Sequence, residues 1–325
     1  MQIPLSLSYL LPFFRPEVIP QASFNISRPD NVAAYWGQNS YGNAFPGQPS
    51  KWQQTLDSYC QDDSIDIIPI AFLTQFTTPP SINLANSCTG PYFPGTQLLN
   101  CAFMATQIKK CQSKGKTILL SLGGATGGPA FKNDADAKKF ADQIWNLFLG
   151  GTSKTRPFGS AVLDGVDLDI EAGSPTGLGA FVNQIRSRAK GQKKKYFVTA
   201  APQCVYPDFY LGKALDTVSF DAVFVQFYNN PCGLDQYGKS GWNFERWDRW
   251  ARTTSINKKV KIFIGAPASS TSAGRGYVNA TRLATIAKET RKKYPSFGGI
   301  MLWDVSQAVA NKQFNVVIKK ALKKN

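Results

Sequence analysis

Eight short runs rich in β-branched and aromatic residues recur along this chain, separated by longer segments with helical spacing, and that alternation restricts the fold more than any other feature. The runs are Val32–Gly37, Ile65–Leu73, Thr117–Gly124, Gly165–Glu171, Tyr196–Pro202, Ala222–Tyr228, Lys261–Pro267 and Gly298–Val305. Between them lie segments such as Ala135–Phe148, Leu178–Ala189, Phe244–Thr253 and Thr281–Tyr294, whose apolar residues follow the helical period. Strands alternating with helices pair in parallel, because each helix supplies the crossover that a parallel connection needs. Eight such units predict an α/β chain closed into a TIM (β/α)8 barrel, rather than an open doubly wound sheet. No Gly/Ser- or Pro-rich linker interrupts residues 31–325, so they read as a single domain. A loop from Thr77 to Pro94, polar and Pro-rich, is the longest expected interruption.

The fourth run carries chemistry. It reads Asp164-Gly-Val-Asp-Leu-Asp-Ile-Glu171, and a strand sends Asp167, Asp169 and Glu171 to one face and Val166, Leu168 and Ile170 to the other. Like charges so placed oppose each other's ionisation, and burial adds desolvation. A purely structural strand gains nothing from that cost, so the acidic face reads as an acid–base site. The alternatives are a solvated edge strand or a calcium loop, but a calcium loop would be irregular and Gly/Asn-rich. A strand rise of ~3.3 Å per residue sets Asp169 and Glu171 about 6–7 Å apart. Asp164 breaks the two-residue period and is expected to order the start of the strand.

Composition removes most other chemistries. The 325 residues include no histidine, which excludes Ser-His-Asp and Cys-His catalysis and the commonest transition-metal ligand. Neither a dinucleotide-binding nor a P-loop glycine pattern is present, and no cofactor is expected. The net charge of +16 raises nucleic acid as a partner, but the lysines and arginines are scattered and no nucleic-acid-binding motif accompanies them. Local clusters at 193–195, 291–293 and 319–324 read as solvated helix ends. The six cysteines form no Cys-x-x-Cys pair; an even, widely spaced set fits three disulfides and an oxidising compartment. Residues 1–30 read as a leader or extension. Its apolar run from Ile3 to Phe14 is too short to span a bilayer, and a secretory signal would be cleaved near Ala22. Pro4 and Pro12 interrupt that run, and no Lys or Arg precedes it. Sequons at Asn25 and Asn279 lean the same way, towards secretion; the expected location is extracellular, with the cell wall or the vacuole as alternatives, and without membrane insertion.

In a barrel of this class the active site gathers at the C-terminal ends of the strands. Here those ends carry Tyr35-Trp-Gly-Gln-Asn39, Phe72-Leu-Thr-Gln75, Gly123-Gly124, Glu171, Ala201-Pro-Gln203, Gln226-Phe-Tyr-Asn-Asn230 and Leu302-Trp-Asp304. Aromatic faces stack on pyranose rings while amides and carboxylates bind hydroxyl and acetamido groups. A carbohydrate is therefore the expected substrate.

These residues bear a family resemblance. Asp164–Glu171 matches the Asp-x-x-Asp-x-Asp-x-Glu signature of glycoside hydrolase family 18, and Ser121-Leu-Gly-Gly124 matches its third-strand motif. The tracts Ala34–Asn39, Ala200–Cys204, Val225–Asn230 and Gly298–Trp303 resemble the class III, hevamine-type chitinases of plants and fungi, in order, from about residue 31 to about 305. The resemblance implies a secreted endo-chitinase cleaving β-1,4-linked N-acetylglucosamine polymers by a retaining, substrate-assisted route. Glu171 would be the general acid, Asp169 would hold the substrate's acetamido N–H, Asp167 would share charge with Asp169, and Tyr228 would bind the acetamido oxygen. Trp303 would floor the cleaved sugar, Gln226 would contact it, and Tyr35 and Phe72 would line the same pocket. Asn83 would reach more distant sugars. Cysteine order in the family implies the pairs Cys60–Cys111, Cys88–Cys101 and Cys204–Cys232. The partner implied is chitin or its oligosaccharides, bound by a monomer. Ala172 departs from the polar residue that often follows the acid in relatives, which implies altered pH dependence or rate. Two alternatives share the barrel: a non-catalytic chitin-binding or inhibitor protein, and an endo-β-N-acetylglucosaminidase acting on N-glycans.

Overall fold

The structure, a computed structural model, describes residues 24–324; the leader reading of residues 1–22 lies outside them. Its strands are β1 (Asn31–Ala34), β2 (Ile67–Gln75), β3 (Ser81–Ile82), β4 (Thr117–Gly124), β5 (Gly165–Ile170), β6 (Phe197–Ala200), β7 (Ala222–Gln226), β8 (Lys261–Pro267) and β9 (Phe297–Trp303). All but β3 pair in parallel, in the order β1-β9-β8-β7-β6-β5-β4-β2, and the pairing of β1 with β2 at Ala33 and Ile67 closes the ring. The expected eight-stranded barrel is thus formed. β3 is the departure: it lies within the Thr77–Pro94 loop and folds back antiparallel on β2, Ile82 opposite Leu73.

Helices clothe the barrel: α1 (Ser40–Ala44), α2 (Met104–Ser113), α3 (Asp134–Phe148), α4 (Leu178–Ala189), α5 (Gly212–Thr217), α6 (Phe244–Thr253), α7 (Ala280–Lys293), α8 (Val305–Ala310) and α9 (Phe314–Lys323). Strand periodicity divides the apolar residues into two shells. Val32, Ala34 and Trp36 point outward into the large core beneath the helices, with Val166, Leu168 and Ile170. Ala33, Tyr35, Ile67, Leu119, Phe224, Phe263 and Met301 fill the barrel interior. On β5 the inward positions that apolar residues would fill are taken by Asp167 and Asp169, both almost wholly buried.

The base of the barrel differs from the sequence reading in two places. Phe24 and Ile26, assigned to the extension, pack against the interior cluster, and the Phe24 ring meets Phe197 edge-on at 5.3 Å. Lys319, read as part of a solvated helix end, is only 4% exposed; its ammonium group pairs with Asp66 at 2.6 Å and donates to the Asp30 carbonyl. The amphipathic period of α9 carries it there, with Phe314, Ile318 and Leu322 on the same buried side.

The three disulfides are Cys60–Cys111, Cys88–Cys101 and Cys204–Cys232, the pairs the resemblance implied. Cys88–Cys101 holds the loop around β3, and Cys204–Cys232 joins the loops that follow β6 and β7. Among the described residues no helix is long and apolar enough to cross a membrane.

Candidate active site

A cleft of about 300 Å³ opens at the C-terminal ends of the strands. Its lining includes Asp169, Glu171, Gln226, Tyr228, Trp303 and Phe72, and it also touches Asn83. Phe72 and Trp303 stack with centroids 5.7 Å apart and planes 17° apart, forming one continuous apolar wall. Glycine makes room beside that wall. A Cβ at Gly123 would sit 2.2 Å from the Asp169 carbonyl, and one at Gly124 would strike the Phe72 ring, which explains the glycine pair after Ser121-Leu122. A larger groove of about 590 Å³ runs past Val205, Trp242 and Arg246, but it contains none of the β5 carboxylates. The chemistry therefore belongs to the smaller cleft.

Below the cleft, Asp167 is fully buried and receives three hydroxyl hydrogen bonds: Tyr35 at 2.8 Å, Ser121 at 2.7 Å and Thr199 at 2.6 Å. Burial pushes its carboxyl up and the three donors pull it back. Asp169 stands one step higher, its Oδ1 accepting from Gln226 Nε2 at 2.9 Å, while the same amide donates to the Ala201 carbonyl. Burial, then Glu171, Asp167 and Asp208, raise Asp169 well above the ordinary carboxylate range. Glu171 is partly open to the cleft. Burial raises it too, and the carboxamides of Gln226 and Gln203 act against that rise. The hydroxyls of Tyr35 and Tyr228 are held far above their usual range, first by burial and then by the neighbouring carboxylates. Both phenols stay protonated, as donors. The site thus holds protons on its acids to unusually high pH, the property a general acid needs.

The placement of the expected residues is uneven. Glu171, Asp169, Tyr228, Gln226, Phe72, Trp303 and Asn83 come together around the cleft. Asp167 lies beneath it, bound to Tyr35. Tyr35 was expected to line the pocket; it is 1% exposed, absent from the lining, and serves as a donor under the floor. Asn83 joins through the backbone of the loop, exchanging two hydrogen bonds with Phe72 and accepting Ala85 N–H on its side chain. Asp164 sits at the opposite end of β5, accepting from Ile118 N–H and Gln112 and pairing with Lys194, which orders the start of the strand. Two residues escaped the sequence reading. Asp208 is a further buried carboxylate beside the acids, and Gln203, noted there only as a strand-end amide, acts on the Glu171 carboxyl. Asp208 carries no periodic signal because it lies in a loop.

Fold and site together define a (β/α)8 barrel with clustered carboxylates beside an aromatic-walled cleft at its mouth. The chain belongs to the glycosyl hydrolases family 18, whose profile matches residues 31–292. It is 50% identical to "Chitinase 2" of Rhizopus oligosporus over 297 residues, which cover 91% of this chain and 52% of that protein. It is also 41% identical over 317 residues to "Endochitinase 33" of Trichoderma harzianum, covering 93% of this chain and 94% of that one. The crystal structure of a chitinase from Ipomoea carnea superposes with a TM-score of 0.76 at 34% identity, over 90% of this chain and 99% of the other. The chain spans about half the length of the Rhizopus protein.

Proposed function

We propose that this chain is a secreted endo-chitinase that hydrolyses β-1,4 bonds between N-acetylglucosamine units with retention of anomeric configuration. The observation that carries the reading is the convergence of Glu171, Asp169 and Tyr228 on one cleft walled by Trp303 and Phe72. The chemistry follows from the layout. Glu171, partly open to the cleft and biased towards its protonated form, protonates the leaving glycosidic oxygen. The nucleophile is the carbonyl oxygen of the sugar's own 2-acetamido group, which closes to an oxazolinium ion. Asp169 accepts the acetamido N–H and faces the positive charge as the ring forms, while the protonated Tyr228 hydroxyl donates to the acetamido oxygen. Asp167, neutralised or hydrogen-bonded from below, adjusts the charge Asp169 can carry. Glu171, now a carboxylate, then draws the proton from an incoming water. Trp303 and Phe72 offer the apolar face on which the sugar ring rests. Three disulfides fit an oxidising, extracellular setting.

The test is turnover of N-acetylglucosamine hexamer with the anomer of the first product followed by NMR, alongside a glycoprotein carrying N-glycans. The expected outcome is release of shorter oligomers as the β-anomer and no release of N-glycans. Glu171→Gln should lower turnover by about 10²–10⁴-fold while still binding the hexamer. Binding without turnover by the wild-type chain would instead make this a chitin-binding protein.

A further inference from the structure

The loop from β6 to α5 holds an arrangement that the proposed mechanism does not use. Asp208 is 6% exposed and its carboxylate takes three backbone N–H groups of its own loop: Gln203 at 3.0 Å on one oxygen, Tyr210 at 3.0 Å and Leu211 at 2.6 Å on the other. Those bonds fix where Gln203 leaves the barrel. Asn230, from the loop after β7, donates its Nδ2–H to Gln203 Oε1 at 3.3 Å and to the Tyr228 carbonyl at 3.3 Å. With its oxygen so engaged, the Gln203 carboxamide has its NH2 group left to offer Glu171, whose carboxyl it acts to hold down. Neither Gln203 nor Asp208 lines the cleft.

We propose that Gln203 is a positioning residue for Glu171, anchored by Asp208 at its backbone and by Asn230 at its carboxamide oxygen, so that its Nε2–H donates to the carboxylate of the acid. The inference rests on the chitinase reading only for its consequence in catalysis; the hydrogen bond itself is testable without turnover. A donor to the carboxylate form stabilises that form and holds the acid's titration down. It also fixes the rotamer from which Glu171 delivers its proton. The titratable groups facing Glu171 are Asp169 on β5, Asp208 on the loop after β6 and Tyr228, two residues beyond β7. All are acids, so neutral amides from Gln226 and Gln203 are the groups opposing the upward pressure on Glu171.

The experiment is titration of the glutamate carboxyl carbons by NMR in protein labelled at that carbon, where Glu171 is one of four glutamates in the chain. Gln203→Leu should raise the Glu171 titration by roughly 0.5–1 pH unit. Asn230→Leu should raise it by less, and should add nothing in the Gln203→Leu background, because both act through one hydrogen bond. The basic limb of the kcat/KM profile should move up in step. A merely structural Gln203 would lower stability or kcat without moving either titration. Asp208 is left intact, since its charge and its loop bonds act on Glu171 in opposite directions. An unmoved or lowered Glu171 titration in folded Gln203→Leu protein would overturn the proposal. Absence of turnover in wild type with the NMR shift present would overturn the chitinase reading instead.

Discussion

At the base of the barrel Asp66, Asp164 and Asp221 each stand one residue before a strand, whereas Asp167, Asp169 and Glu171 sit within or just after one at the mouth. The three basal acids share one device. Each accepts a backbone N–H from the neighbouring strand, from Val32, Ile118 and Val198 respectively, at 2.7–2.8 Å. Each also pairs with a cation: Lys319 at 2.6 Å, Lys194 at 2.7 Å and Arg186 at 2.8 Å. At the mouth the partners are hydroxyls, carboxamides and backbone N–H groups, and among the described residues no ion pair reaches Asp167, Asp169, Glu171, Asp208 or Asp304. Cations balance a carboxylate's charge and staple the strands; neutral donors in a buried site leave its proton in play. Asp164 and Asp167, three residues apart, fall on either side of that divide. The strand that carries the candidate acids is therefore clamped at one end and left chemically adjustable at the other.

Removing a cation at the base should cost the most. Lys319→Ala leaves Asp66 without its ion pair, and breaking a buried pair costs about 3–5 kcal/mol. Asp66 is 22% exposed and keeps the Val32 N–H, so the loss belongs at about 3 kcal/mol. Urea unfolding near neutral pH measures it. The pH profile of turnover should not move, because the pair lies at the far end of the barrel; a shifted profile would erase the distinction between the two ends.

The neutral donors at the mouth should matter less, and in a pH-dependent way. Thr199→Val keeps the shape of the side chain and removes the 2.6 Å hydrogen bond to Asp167. The loss of a bond to a buried charged group is about 1.5–3 kcal/mol. Thr199 stabilises the ionised form, so the cost should be largest at neutral pH and shrink as acid protonates Asp167. A cost independent of pH would mean that Asp167 is already protonated at neutrality.

The legible parts of this molecule are those with a period. Alternation along β5 placed Asp167 and Asp169 inward and Asp164 off their face, and the strand–helix alternation foretold the closed barrel. What period could not reveal was depth. Tyr35 and Phe72 both lie towards the C-terminal ends of their strands, yet Tyr35 turns under the floor to meet Asp167 while Phe72 stacks on Trp303 in the wall. Lys319 looked like one more solvated lysine because its partners, Asp66 and the Asp30 carbonyl, are distant in sequence. Asp208 and Gln203 depend on loop geometry stapled by Cys204–Cys232, which no local pattern announces.

The smallest expected effect has the opposite sign to the others. Asp169 is raised well above its ordinary titration, chiefly by burial and then by Glu171, Asp167 and Asp208. In the unfolded chain it ionises near pH ~3.9. The folded state therefore binds the extra proton between those two titrations, and stability falls as pH rises through them. Below the unfolded titration Asp169 costs nothing of this kind. Asp169→Asn removes the titration and retains an oxygen for Gln226 Nε2. The variant should match wild type near pH 3.5 and be the more stable of the two at pH 7.5, measured by urea unfolding at both values, while losing turnover. The same exchange at the base, Asp66→Asn, should destabilise at neutral pH, since there the carboxylate is matched by Lys319. If both variants moved stability in the same direction, the contrast between a clamped base and an adjustable mouth would fail, and the carboxylates of the two ends would have to be treated as energetically alike.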